Sequence, residues 1–341
     1  MCYMFVALFI KNAACVCPNS NLNQGRSFDQ QPLISEIKDC FFNRFQNYNG
    51  GPGGVICFMT VDANMSIINS MFFNCRVVNP YWQYGGAVFF NCSNGQSSLN
   101  MVCASNCGCG YIGQFGYIKA SVSNINHINY LSINKCCNES IGYYPLHISD
   151  GHIKNDNSNY SLNRAFHSSA ILVSFPTSMT SSYCTYSNNI ASSSVTIWLQ
   201  SNSGSVTYNN IVGNNSPGYS VVLVHESAYS FSHCVFFKNT NTLLSTFISG
   251  SLYVTNSYIS HSDTITGGSV ITSNNNVFTL TMSHPLTLYS SYYCNADIPF
   301  FLNEMNSNQT IPRTFDERCS IVESLQFQSI LHVFNFVCIL S

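Results

Sequence analysis

The one run of this chain in which acid, base and cation gather is Asp150-Gly151-His152-Ile153-Lys154-Asn155-Asp156. Side chains alternate across an extended strand, so Asp150, His152, Lys154 and Asp156 would project from one face. Two carboxylates with an imidazole and an ammonium between them are what cleavage of an acidic polysaccharide needs. One group acts as acid or base at the scissile bond, one activates water or holds calcium, and the cation meets the substrate's own carboxylate. The plainer reading is a polar turn, because Gly151 and Asn155-Asp156-Asn157 interrupt strands. With only 14 acidic residues in the chain and no second carboxylate pair nearby, no catalytic residue is assigned.

Other reactive types are scattered. Seventeen cysteines are many for 341 residues. Cys40, Cys103, Cys184 and Cys234 follow a repeat and read as equivalent, where a thiol packs as a small hydrophobe or meets a stacked neighbour as a disulfide. Cys103, Cys107, Cys109, Cys136 and Cys137 are close in sequence but lack paired C-x-x-C spacing, so no metal and no cofactor is assigned. His225 and His233 read as hydrogen-bonded spacers near coil ends. Trp82 and Trp198, with 20 Tyr, offer platforms for sugars, although most aromatics are expected in the core. Glycosylation triplets begin at Asn64, Asn91, Asn138, Asn159, Asn214 and Asn308. Roughly eight would arise by chance in a chain so rich in Asn and Ser, so these permit secretion without establishing it.

What must position these groups is a repeat. One motif places Cys or Met ahead of Asn, as in Cys40-Phe41-Phe42-Asn43, Met71-Phe72-Phe73-Asn74, Cys103-Ala104-Ser105-Asn106, Cys184 to Asn188 and Cys234 to Asn239. A second leads a small pair into an apolar strand: Gly53-Gly54-Val55-Ile56, Gly85-Gly86-Ala87-Val88, Phe115-Gly116-Tyr117-Ile118 and Gly267-Gly268-Ser269-Val270. The two keep phase, with about 25–32 residues per turn. Between them lie short runs of Val, Ile, Phe, Tyr, Thr and Ser with period two, such as Val206 to Asn210, Ser220 to His225, Tyr229 to Phe237 and Leu252 to Ile259. Short strands, no helical periodicity and no leucine-rich pattern select an all-β, right-handed parallel β-helix of the pectin-lyase-like type. Roughly nine coils at the interstrand spacing would form a rod about 45 Å long. Stacking makes use of the 42 Asn and 50 Ser residues, since an inward Asn can bond the Asn one coil away.

Boundaries follow from where the repeat fades. Residues 1–34 read as an amino-terminal cap or weak signal segment, 35–297 as the β-helix, and 298–341 as a carboxy-terminal cap or irregular tail. Cys2 to Ile10 has the length of a signal-peptide core without a basic residue before it, and Leu325 to Leu340 is too short and polar to span a bilayer. With 8% charged residues and net charge −2, the chain has no electrostatic footprint for nucleic acid or an anionic membrane.

The pairing of Gly85-Gly86-Ala87-Val88 with Phe236-Phe237-Lys238-Asn239 resembles the repeats of polymorphic outer membrane proteins (Pmp-type adhesin passengers) and related β-helix surface families of parasitic protozoa. The resemblance covers roughly residues 35 to 275 and implies a non-catalytic cell-surface or secreted scaffold for adhesion or display. Its implied partners are host-cell or matrix glycans and proteins. The alternative is a lyase or hydrolase of acidic polysaccharide, because pectate lyases and polygalacturonases share the scaffold. The Gly151-His152 and Ile153-Lys154 pairs loosely echo elements of polygalacturonases.

Overall fold

Short alternating strands leave unpaired edges, and parallel stacking along one axis pairs all but the ends. The computed structural model describes residues 33–47, 52–77, 84–136, 142–260, 264–265, 269–273 and 275. Among these residues there is no helix, and the parallel strands stack as a β-solenoid of about 8 turns. Cys2 to Ile10, Leu325 to Leu340, the proposed carboxy-terminal cap from 298 on and Trp82 lie outside the described residues, and so does the proposed amino-terminal cap except Leu33 and Ile34, which open the strand Leu33–Lys38 and so belong to the coil. No helix of the described residues is long and apolar enough to cross a membrane.

Each turn lays down three faces. The first is carried by Leu33–Lys38, the start of Ala63–Phe73, His152–Asp156, Ser178–Ser182 and Ser251–Thr255. The second uses strands of about three residues, among them Phe41–Asn43, Asn159–Ser161, Thr185–Ser187, Asn210–Val212 and Val235–Phe237. The third is carried by Ile56–Thr60, Val88–Cys92, Ile112–Lys119, Tyr144–Ser149, Ser168–Ser174 and the opening halves of Val195–Thr207 and Asn215–Ser232. Column partners are 30 residues apart at Cys40 and Ser70, 25 at Cys184 and Asn209, and 18 at Ser257 and Asn275. The turns tighten toward the carboxy end.

Corners between faces are made by single residues in the left-handed region. The first corner uses Asp39, Asn69, Asn157, Tyr208, His233 and Asn256, and the second uses Arg44, Asn74, Asn106, Leu162, Asn188 and Lys238. Asn and Asp tolerate this conformation, whereas Tyr or Leu gives up about 1–2 kcal/mol, which the surrounding stack must override. These corners divide three of the expected strands. Val206 to Asn210 breaks at Tyr208 (φ 55°), Tyr229 to Phe237 at His233 (φ 55°), and Leu252 to Ile259 at Asn256 (φ 49°). Period-two alternation continues across a one-residue corner, so the sequence pattern does not show the bend.

Immediately after the second corner an inward column begins, and it carries the asparagine ladder expected from the composition. Asn163, Asn189, Asn214 and Asn239 stand one above another, all buried. The backbone N–H and side-chain amide of Asn163 both donate to Oδ1 of Asn189, at 3.0 and 3.1 Å. Asn189 does the same to Asn214, and Asn214 to Asn239. Each amide also donates back to a main-chain carbonyl of the preceding coil: Ile133, Tyr160, Tyr186 and Ile211, at 2.8–3.0 Å.

In the earlier coils the same column is filled by Cys75, Cys107 and Cys136. Their thiols point at the corresponding carbonyls of Phe42, Phe72 and Ala104, at 3.5, 3.6 and 3.9 Å. The backbone N–H of Cys136 bonds Oδ1 of Asn163 at 2.9 Å, joining the thiol and amide segments. Asn74 and Asn106, which end the shortened motif copies, are therefore corner residues, and the ladder position is the residue after them.

Register corrects two alignments. Met71 pairs with Phe41 and with Cys103, so Cys103 is one position out of the Cys40 column. That column contains Cys40 and Ser70, then Cys184, Asn209, Cys234 and Ser257, which places no two of its cysteines on adjacent coils. The third described copy of the glycine motif is Gly113-Gln114-Phe115, because Gly53, Gly85 and Gly113 share φ values of 67–75° and Ala87 N–H bonds the carbonyl of Phe115. At Gly54 and Gly86 a Cβ would meet the next coil's carbonyl oxygen at 2.0 Å, so close coil approach explains the second glycine. Gly267 and Gly268 lie outside the described residues.

Aromatic columns fill the interior of the second face. Phe42 stacks on Phe72 at 4.8 Å between centroids, and Tyr160 on Tyr186 at 5.0 Å and 5°. We predict that Asn189→Ala costs about 3 kcal/mol or more, because it strands the donors of Asn163 and the Tyr160 carbonyl in a dry interior. Cys136→Asn, which extends the ladder by one rung, should change stability by less than about 1 kcal/mol. Denaturant unfolding of both variants checks the pair, and equal costs would contradict the ladder's role.

Candidate functional site

On the first face the strand His152–Asp156 buries Ile153 and Asn155 and turns His152, Lys154 and Asp156 outward, as period two dictates. Asp150 does not join them. It occupies the preceding corner at φ 63° and pairs with Lys119 of the third face at 3.7 Å. Lys154 pairs with Asp156 at 3.4 Å, Ser182 donates to the Asp156 carboxylate at 2.5 Å, and His152 Nδ1 lies 2.8 Å from Ser178 Oγ. From His152 to Asp156 the strand alone advances about 13 Å, and Asp150 stands beyond it, outside the roughly 5–9.5 Å that separates paired glycosidase carboxylates. The polar-turn reading holds at Asp150-Gly151 and fails for the rest, which is a regular strand.

Beside this strand the first face is lined by hydroxyls and amides in straight columns. Ser66, Ser98, His127, Lys154, Thr180, Ser205 and Ser230 follow one another in register. An open hollow of about 370 Å³ lies over Asn64, Ser66, Gln96, Ser98, Ile125 and His127, without a carboxylate in its lining.

The third face is different. Its outward column runs Cys57, Phe89, Tyr117, His147, Leu172, Trp198 and Leu223. Phe89 and Tyr117 stack at 5.2 Å and 13°, and Tyr117 meets His147 edge-on at 5.0 Å. A second row from the loops that open each third-face strand packs alongside. Tyr84 lies 5.2 Å from Tyr117, Tyr111 4.8 Å from Tyr143, and Tyr143 4.5 Å from His167. The rows converge on Trp198, whose ring contacts Tyr144, His167 and His225 at 6.4–6.5 Å, and His225 stacks on Phe247 at 5.4 Å and 15°. Backbone register builds the second row: Tyr143 N–H bonds the carbonyl of Tyr111 at 2.7 Å, and Ser168 N–H that of Tyr143 at 3.0 Å.

Trp198 and His225 stand out in the sequence, whereas Tyr144 and His167, which Trp198 touches, and Tyr117, Tyr143 and His147 farther along the rows do not. The available signal was the recurrence of Tyr84, Tyr111 and Tyr143 once per coil. His233 belongs elsewhere, on the first corner, stacked on Tyr208 at 5.0 Å.

Ring nitrogens in this cluster are held away from water. His147 Nε2 lies 2.7 Å from the buried Ser174 hydroxyl. His147 Nδ1, His167 Nδ1, His225 Nδ1 and Trp198 Nε1 are buried without a hydrogen-bond partner. Burial, aided by the Lys119 charge, lowers the His147 pKa to about 3, and burial lowers that of His167. Burial raises the Tyr117 hydroxyl to about 12.

The cysteines sort by column. Burial pushes Cys109, Cys184 and Cys234 up to about 12. Cys75 is raised by burial and its hydrogen bond with Cys107. At Cys107 burial opposes the hydrogen bonds from Cys136 and Cys75 and the Arg76 charge, which together pull it down. Cys103 is disulfide-bonded, and Cys137 lies outside the described residues. Among the described residues no group of three His, Cys, Asp or Glu side chains is placed to hold a metal ion. Of the glycosylation triplets, Asn91 is exposed and Asn64 half-buried, while Asn159 is buried and Asn214 is buried as a rung of the ladder. Asn138 and Asn308 lie outside the described residues. No protein-family model, curated protein or solved structure matches the chain.

A histidine kept neutral by folding makes stability depend on pH. The unfolded chain takes up a proton near pH 6.5 that the native His147 refuses until about pH 3, so stability contributed by this site is present above pH 6.5 and is lost as pH falls toward 3. We predict that native protein loses on the order of a few kcal/mol relative to His147→Phe across that window. Denaturation midpoints of the two proteins against pH would test it, and parallel curves would count against it.

Proposed function

We propose that the chain is a non-catalytic surface or secreted β-helix scaffold that mediates adhesion or display, as its resemblance to Pmp-type repeats implies. The observation that carries this reading is the distribution of chemistry over the outer surface. The carboxylates of the one acid-rich segment stand apart at the two ends of a strand within a single coil and are engaged by Lys119 and Lys154, whereas a hydroxyl-rich column crossed by His127 and Lys154 and a ring-rich column crossed by Leu172 and Leu223 follow the axis across successive coils. A surface that repeats every coil suits multivalent attachment, in which many modest contacts add without one indispensable residue. Host-cell or matrix glycans and proteins are the partners such a surface fits.

Secretion agrees with the neutral polar surface, since Asn and Ser rather than charge keep the rod soluble. It also carries a site-specific expectation. Expressed through a eukaryotic secretory route, the protein should carry glycan at Asn91 and none at Asn159 or Asn214, whose side chains the fold encloses. Peptide mass mapping before and after glycosidase treatment reads this directly.

Immobilised native protein should retain cells or extracellular-matrix preparations, with a loss of less than about threefold for single first-face substitutions such as Thr180→Ala or Ser205→Ala. Incubation with pectin-like polymers should yield no unsaturated or reducing ends. Release of such ends that disappears in Asp156→Asn would replace the scaffold reading with the enzymatic one.

A further inference from the structure

The aromatic cluster on the third face is more than loop packing requires. Apolar side chains alone would cover the sheet, and Leu172 and Leu223 do so in the same column. Yet the neighbouring positions hold His147, His167, Trp198 and His225, each with a buried ring nitrogen that bonds nothing. A buried polar atom left unpaired costs about 1–3 kcal/mol, and the indole nitrogen of Trp198 together with those of three histidines, two of them in ring contact with it, marks a surface whose hydrogen bonds are completed from outside. The rings around them are partly open to solvent, Phe166 by 38% and Phe247 by 49%.

Resting on the scaffold reading above, we propose that this ribbon is a binding site for an uncharged glycan chain lying along the solenoid axis, with Trp198 at its centre. The chemistry fits on three counts. A pyranose has an apolar C–H face for an aromatic ring and a rim of hydroxyls that both donate and accept, which matches rings interspersed with imidazole and indole nitrogens. Among the described residues the cation at its margin is already paired, which leaves little to hold an acidic polymer. Lys119 at its margin is paired with Asp150, and His147 and His167 are held neutral by burial. The dimensions fit as well. From Phe89 to Phe247 the ribbon climbs six coils, about 29 Å at roughly 4.8 Å per coil, and that pitch is close to the length one sugar adds to an extended chain.

The buried nitrogens also imply that small ring movements accompany binding. Phe166, Phe247 and the half-buried imidazoles sit at the edge of the cluster, so rotation there admits hydroxyls without disturbing the ladder inside.

The full chain supplies its own reporter, because Trp198 is one of only two tryptophans. Titration with soluble neutral polysaccharides (β-glucan, xylan, mannan) should change tryptophan emission and retard the protein in affinity electrophoresis. Polygalacturonate and heparin should do neither. Trp198→Ala should weaken binding by tenfold or more, and Trp198→Phe, which keeps a ring but loses the N–H, by several-fold with loss of the emission change. Phe247→Ser, at an exposed edge, should weaken binding without altering the thermal midpoint and so separates binding from folding. Binding confined to acidic polymers, full retention in Trp198→Ala and Phe247→Ser, no binding to any polymer, or protection of the ribbon by dimerisation of the chain would each overturn the proposal. Adhesion that survives in Trp198→Ala would dispose of this site and leave the scaffold reading standing. Glycan binding without any adhesion would do the reverse.

Discussion

The structure depends on one constraint, the main-chain hydrogen bonds that hold each coil in parallel register on the one before it. Because every turn is bonded at the interstrand spacing, a residue cannot choose its neighbour independently; it receives whichever side chain stands one turn earlier and one turn later. Inward columns must then be self-compatible. Phe on Phe, Tyr on Tyr and Asn on Asn satisfy that condition, and they recur here for that reason.

The asparagine column shows how polar groups become part of a core. A single buried amide would leave one or more of its donors and acceptors unpaired, whereas a column of them passes each donor to the next acceptor and returns the second donor to the backbone. Replacement of Asn by Cys in the earlier coils keeps the donor and weakens the acceptor, since the Cys107 sulfur takes hydrogen bonds from Cys75 and Cys136 in place of an amide oxygen. That exchange is tolerated because a thiol is small and weakly polar. The same column thereby accounts for three of the cysteines that a disulfide count would misread.

Function, in such a rod, is a matter of which columns face outward. The first face displays hydroxyls and a few neutralised charges, and the third displays rings whose nitrogens lie buried among them. Among the described residues neither face gathers carboxylates around a point. Both repeat along the axis, which is what attachment to a repeating polymer or a crowded surface uses.

The repeat, the β class, the parallel solenoid and the inward asparagines were legible in the chain, because stacking imposes a period on composition and period survives in one dimension. Trp198 also stood out by its type. The columns themselves were not legible: Cys103 was placed with Cys40, Gly116 with Gly86, and three strands ran through corners, since one inserted or deleted residue per coil shifts a column without altering the local pattern. Asp150, His152, Lys154 and Asp156 share a parity in sequence, and only the left-handed corner at Asp150 removed it from the other three. The ribbon of Tyr117, His147, His167 and Trp198 likewise exists only in three dimensions, because contact between coils is set by turn lengths of 18 to 32 residues that backbone bonding, not local propensity, measures out.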